Sequence, residues 1–127
     1  MRPAVIDTSV VMCVLLREPG RERSLEAMRG ATMSSVNVAE VVAKCLERAV
    51  PENLATMLLS SSEVNVVDFV AEDAVLAGQL WGRAPKGKLS LGDRACLATA
   101  VRLGATAITA DRIWGDLDLP CPVELIR

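Results

Sequence analysis

The chain has 127 residues, 51% of them hydrophobic, with a mean hydropathy of +0.33, a formal net charge of −2 and a pI near 5.2. A chain of this length fits one domain, 1–127, with a sizeable core, and its apolar content excludes a disordered tail. The charge excludes the overall positive field of a general nucleic-acid binder, and the lack of His or of any CxxC among the four cysteines argues against zinc.

In chain order, Ala4-Val5-Ile6 reads as a short buried strand that stops at Asp7, and Ser9 to Arg17 as a helix before the Glu18-Pro19-Gly20 turn. Arg21 to Arg29 is an amphipathic helix closed by Gly30, followed by a brief strand at Ala31 to Met33 and a helix from Ser35 to Ala49 that carries Glu40. Pro51 opens a helix through Leu59, Val64 to Phe69 reads as a strand, and Glu72 to Trp81 as a helix. Gly82 to Lys88 is the clearest loop and leads straight to Ser90-Leu91-Gly92-Asp93. A helix then runs to Leu103 and stops at Gly104, and strands follow at Ala105 to Thr109 and Val123 to Ile126.

Strands alternating with helices predict an α/β fold with an open, mostly parallel sheet flanked by helices on both faces. In such folds functional groups gather beyond the carboxyl ends of the strands, where Asp7 and Asp111 lie. Asp7 interrupts the apolar N-terminal stretch and no small-residue cleavage site follows, so it does not read as a signal peptide. The longest apolar run, Val10 to Leu16, is far short of a membrane span. The expectation is a soluble, cytoplasmic protein with reduced thiols and no membrane partner.

Four acids sit where an apolar run stops or a helix begins: Asp7, Glu40, Asp93 and Asp111. Each has a local explanation. Asp7 and Asp111 can cap the segments that follow, Asp93 completes a capping box with Ser90, and Glu40 can pair with Lys44 one turn on. Capping alone does not require apolar segments on both sides, however, and Asp93 shares a helical stripe with Cys96, Leu97 and Ala100, away from Arg94 and Arg102. Carboxylates brought together repel unless a divalent cation compensates them, and oxygen ligands without His or Cys select Mg²⁺ or Mn²⁺. Such a centre can hold a phosphodiester oxygen and orient water for in-line attack. Ser9 stands close enough in sequence to Asp7 to hydrogen-bond the acids, or to be an ordinary helix-start serine.

The fragments VIDTSVV, SSVNVAEVV, LSLGDRACLATA and ITADRIW, in this order and spacing, resemble the signature of the PIN-domain nucleases, in particular the VapC-like toxins of toxin–antitoxin pairs. The resemblance covers essentially the whole chain. It implies a Rossmann-like fold, an endoribonuclease activity dependent on Mg²⁺ or Mn²⁺, and inhibition by a small cognate VapB-like antitoxin that also binds DNA. By motif position it implies that Asp7, Glu40, Asp93 and Asp111 are the metal-binding and catalytic acids, with Ser9 at the hydroxyl position. Asp116 matches no fixed motif.

RNA binding by an acidic chain needs local positive charge, for which Arg83, Lys86 and Lys88, together with Arg94, Arg112, Arg17 and Arg21, are candidates. The loop basic residues read equally as a solvated surface. Trp81 and Trp114 could stack on unpaired bases, but as two of very few aromatics they are expected in a core or interface. The apolar helices Val10 to Leu16 and Val36 to Leu46 suggest a homodimer seam or a groove for an antitoxin helix. Two other classes compete. A receiver or aspartyl phosphatase would need an acid at Ser9 or near the end of a middle strand, and neither is present; a metal-free binding module is opposed by the intact acids.

Overall fold

A computed structural model describes residues 3–127. Ala4–Ile6 (β1), Thr32–Ser34 (β2), Asn65–Val67 (β3), Thr106–Thr109 (β4) and Val123–Leu125 (β5) form one sheet in the order β3-β2-β1-β4-β5. The α/β architecture expected from the sequence is present, and the sheet, expected to be mostly parallel, is parallel at every pairing among the described residues. A parallel sheet covered on both faces needs apolar side chains in both alternating directions. Val5 and Ala107 supply one face, Ile6 and Ile108 the other, and all four are buried.

Thr8–Leu15 (α1), Arg21–Met28 (α2), Ser35–Glu47 (α3) and Glu52–Ser61 (α4) cover the Ile6 face, where Val10, Val11, Met28, Val41 and Leu59 build one core. Ala71–Gln79 (α5) and Leu91–Leu103 (α6), with 3-10 turns at Leu80–Arg83 and Arg112–Asp116, cover the Val5 face around Leu80, Leu97, Ala100 and Trp114. Among the described residues no helix is long and apolar enough to cross a membrane.

Most boundaries shift by one or two residues from the sequence reading, and in three elements the structure shows a local reason. α1 starts at Thr8 because Asp7 is its cap, and it ends ahead of Arg17, whose φ of 55° is left-handed. The strand expected over Val64 to Phe69 contracts to Asn65–Val67. As an edge strand it pairs only with β2, and the chain then turns away so that the Phe69 N–H donates to Ser35 Oγ (3.2 Å) and Val70 caps α5. The helix expected through Trp81 ends at Gln79, and the 3-10 turn that follows takes Gly82 and Arg83 out of the predicted loop.

α5 and α6 are tied by an ion pair. Asp73 is 1% exposed, and its carboxylate accepts from Arg102 Nε at 2.8 Å and Nη2 at 3.1 Å, the planar fork that arginine presents to carboxylates. Arg102, which the sequence sets apart from the Asp93 stripe, lies against this buried acid. Removing one partner strands the other charge in a poorly solvated place. Arg102→Gln, which leaves the buried Asp73 carboxylate without its cation, should therefore destabilise the fold by about 3 kcal/mol, read as a lower urea midpoint with an unchanged m-value.

Candidate active site

The strand order reverses between β1 and β4, and in open parallel sheets the crevice beyond that switch point is where ligands bind. Asp7 follows β1 directly and Asp111 lies just past β4, so the topology alone brings acids separated by most of the chain to the same crevice.

Two hydroxyls fix the pair. Asp7 is 2% exposed; its Oδ1 accepts from the Ser9 N–H (3.1 Å) and Ser9 Oγ (2.6 Å), and its Oδ2 accepts from Thr109 Oγ1 (2.9 Å). The same hydroxyl oxygens accept from the next strand's exit: Ser9 Oγ from the Ala110 N–H (2.8 Å), Thr109 Oγ1 from the Asp111 N–H (3.0 Å). The turn after β4 is thereby clasped to the end of β1. Asp111 itself caps the 3-10 turn, accepting from the Ile113 N–H (3.1 Å), and buried Trp114 anchors that turn in the core.

Glu40 projects from α3 and does not make the pairing with Lys44 that its spacing allows. Its Oε1 accepts from Thr8 Oγ1 and from Asn37 Nδ2 (3.3 Å), and Asn37 Nδ2 also donates to the Gly92 carbonyl (3.1 Å). A Cβ added at Gly92 would overlap the Glu40 carboxylate, so the missing side chain at the start of α6 is what admits that carboxylate. Asp93 follows, in the predicted capping box: its Oδ2 accepts from the Ser90 N–H (2.9 Å), and its own N–H donates to Ser90 Oγ (3.1 Å). It is half-buried, less enclosed than its stripe position suggested.

Asp7, Glu40, Asp93 and Asp111 all line one concavity of about 460 Å³, together with Ser9, Thr8, Ser90, Glu18, Glu47, Lys44 and Arg48. Local capping and shared location hold at once for Asp7, Asp93 and Asp111. Asp116 and the basic residues expected to contact substrate lie outside this lining. Arg83 donates to the Asp118 carbonyl (2.9 Å), Arg112 to the Arg127 carbonyl (3.3 Å), and Lys86 and Lys88 are exposed on the segment before α6. Trp81, expected in a core or interface, is 51% exposed, with the Arg94 guanidinium 5.2 Å from its ring centroid.

Burial pushes the Asp7 carboxyl from its ordinary 3.8 up to about 7, against the lowering effect of the Ser9 and Thr109 hydrogen bonds and with a further push from Asp93. Asp93 is raised too, by burial first and then by the Glu40 and Asp111 charges, while its Ser90 contacts act the other way. The acids thus feel one another electrostatically. Among the described residues, no three His, Cys, Asp or Glu side chains form a ready-made metal-holding group. The donor set still fits a hard cation: it is all oxygen, burial and then neighbouring carboxylates raise Asp7 and Asp93, and Mg²⁺ is commonly held by one or two carboxylates plus water and substrate phosphates.

Residues 4–119 match the family model described as the PIN domain. No curated protein matches the chain significantly. Solved structures share the fold. A VapBC from Salmonella typhimurium, solved bound to DNA, superposes with a TM-score of 0.73 at 19% identity, over 100% of each chain. VapC20 from Mycobacterium tuberculosis, a sarcin–ricin-loop-cleaving toxin, gives 0.71 at 17% identity over 89% of this chain and 93% of that one. A toxin–antitoxin complex from Klebsiella pneumoniae gives 0.68 at 24% identity over 86% and 87%.

The raised Asp7 pKa has a definite sign in stability. Between about 4 and 7 the unfolded carboxyl has lost its proton while the folded one keeps it, so this group's contribution to stability falls as pH rises through that window and levels off above it. Asp93 adds in the same direction. In EDTA, Asp7→Asn should raise stability at pH 8 by roughly 2–4 kcal/mol and flatten the pH dependence of Tm between 5 and 8. A variant that melts lower than wild type at pH 8 would contradict this.

Proposed function

The chain belongs to the PIN-domain family, and we propose that its 127 residues form a single-domain endoribonuclease, dependent on Mg²⁺ or Mn²⁺, that acts as the toxin of a toxin–antitoxin pair. The observation that carries this reading is the convergence of Asp7, Glu40, Asp93 and Asp111 on one concavity at the switch point of the sheet. These four would hold the cation. When bound, it supplies a Lewis acid that makes water a competent nucleophile near neutral pH and offsets charge building on the phosphate. The chain's own part is to fix the carboxylates: Ser9 and Thr109 hold Asp7, Thr8 and Asn37 hold Glu40, and Ser90 holds Asp93.

Relatives of the same fold, crystallised as toxin–antitoxin complexes, support a VapB-like antitoxin as partner in a cytoplasmic setting. Leu46, Leu54 and Met57, large apolar side chains exposed on α3 and α4, support a surface for that antitoxin or for a homodimer seam. A second reading, a binding module that keeps the fold without the chemistry, draws on the absence of a ready-made three-ligand group among the described residues.

The two readings separate in one set of measurements. Purified protein should cleave single-stranded or structured RNA with Mg²⁺ or Mn²⁺ and stop in EDTA, and Asp93→Asn should cut the rate by at least about a hundredfold, as loss of an essential charge-stabilising group does. Millimolar Mg²⁺ should raise the Tm of wild type but not of Asp7→Asn, because an ion bound only by the folded state stabilises it by mass action. No cleavage and no Tm shift would select the binding module. Gly92→Ala provides a sharper probe. Alanine is the better helix former and the atoms it displaces are the far end of the Glu40 side chain, so the variant should stay folded, with a cooperative melt, while the displaced Glu40 costs it cation-dependent cleavage.

A further inference from the structure

Six acids line the concavity, Asp7, Glu18, Glu40, Glu47, Asp93 and Asp111, against two bases, Lys44 and Arg48. A polyanion that enters must be guided past those acids, and the two bases are placed to do it. Glu40 and Lys44 are spaced i, i+4 on one face of α3, and Arg48, the residue that caps the C-terminal end of that helix, follows four positions on and lines the same concavity. Lys44 and Arg48 are exposed, so holding their charge costs little desolvation. Among the described residues neither makes an ion pair, although Glu40 and Glu47 are within their own helix.

Most other arginines are already engaged. Arg83 is held by Asp118, Arg94 by the Leu89 and Ala77 carbonyls, Arg102 by Asp73, Arg112 by Arg127, and Arg127 by Glu18. A cation serving only the helix dipole would do so anywhere in the last turn; these two face the cavity that holds the acids. Four residues of helix advance about 6 Å, close to the separation of successive phosphates in an extended strand. The concavity, about 460 Å³, is of the size that holds a small ligand or one stretch of a single strand.

We propose that Lys44 and Arg48 bind two successive phosphates of single-stranded RNA on one side of the scissile bond, so that the strand runs from the acids along the C-terminal half of α3. This deepens the ribonuclease reading and rests on it for the identity of the polyanion. It assigns substrate contact to residues other than the Arg83, Lys86 and Lys88 group expected from the sequence.

The test is a titration of a labelled, short single-stranded oligoribonucleotide by fluorescence anisotropy in EDTA, across a range of salt, so that binding is read without cleavage. Lys44→Gln and Arg48→Gln should each weaken binding and reduce the slope of log K against log salt by about 0.7, the value for one phosphate contact to a single strand. Lys86→Gln/Lys88→Gln should leave the slope unchanged. With Mg²⁺ present, the same two α3 variants should raise KM and leave kcat near wild type. A methylphosphonate placed at successive positions beside the cut should reproduce each loss at one position and add nothing to the matching variant. Three results would overturn the proposal: no binding by wild type, an unchanged slope in the Lys44→Gln/Arg48→Gln double variant, or competition by polyglutamate as strong as by RNA, which would make the track a dock for an acidic protein segment. Failure of the ribonuclease reading shows separately, as intact binding by wild type with no cleavage in Mg²⁺.

Discussion

The centre of the molecule is organised by a carboxylate that the fold has stripped of water. Asp7 stands at the end of the middle strand, 2% exposed, and burial raises its pKa to about 7 in spite of two hydroxyl donors and a backbone N–H. An acid in that position would be a defect if it were alone. It is tolerated because the groups around it are anchored elsewhere: Ser9 in the first turn of α1, Thr109 at the last position of β4, each hydroxyl also accepting a backbone N–H from the chain leaving β4. The hydrogen bonds that stabilise the charge are thus the ones that set the spacing between the exits of β1 and β4. Stability and site geometry share the same atoms here.

Around that centre the two cores are distinct in content and meet at the acids. The α1 to α4 side is built of branched and long aliphatic side chains, while the α5 to α6 side relies on alanines, leucines and one tryptophan, with the Asp73–Arg102 pair set between its two helices. α3 from the first side and α6 from the second come together where Asn37 donates to the Gly92 carbonyl. Glu40 and Asp93, which belong to different layers, are held in one cleft by that contact. A small polar network, not an apolar one, spans the boundary, and only hydrogen bonding has the directionality to fix two carboxylates there.

Much of this was legible in the residues. Apolar runs ending on acids placed Asp7 and Asp111 at strand exits, and the Ser90 to Asp93 spacing announced a capping box that is present. Periodicity reports which face is buried, and it served well for the helices. It could not report partners between elements. Thr8, Asn37 and Thr109 read as ordinary helix and strand residues because each donates to an acceptor far along the chain, 32, 55 and 102 positions away. Gly92 read as part of a loop-to-helix junction, and its use became visible only with the Glu40 carboxylate in the space a Cβ would take. Lys44 was read as the partner of Glu40 because i,i+4 spacing is a local rule, yet Glu40 is held by Thr8 across helices and Lys44 is left facing the cleft. Scarcity of aromatics suggests a core or an interface for Trp81; its exposed position removes the core and leaves the interface open, because scarcity says nothing of position.

The order of strands in the sheet has a consequence for synthesis. β1 emerges first from the ribosome, but one of its two neighbours is β4, at Thr106–Thr109. Until that strand is translated and docks, Asp7 lacks the Thr109 hydroxyl and Asp111 does not exist. Closing so long a loop is slow compared with forming the local helices. A nascent chain therefore carries an unassembled cleft until the β4 segment has been made and has docked beside β1.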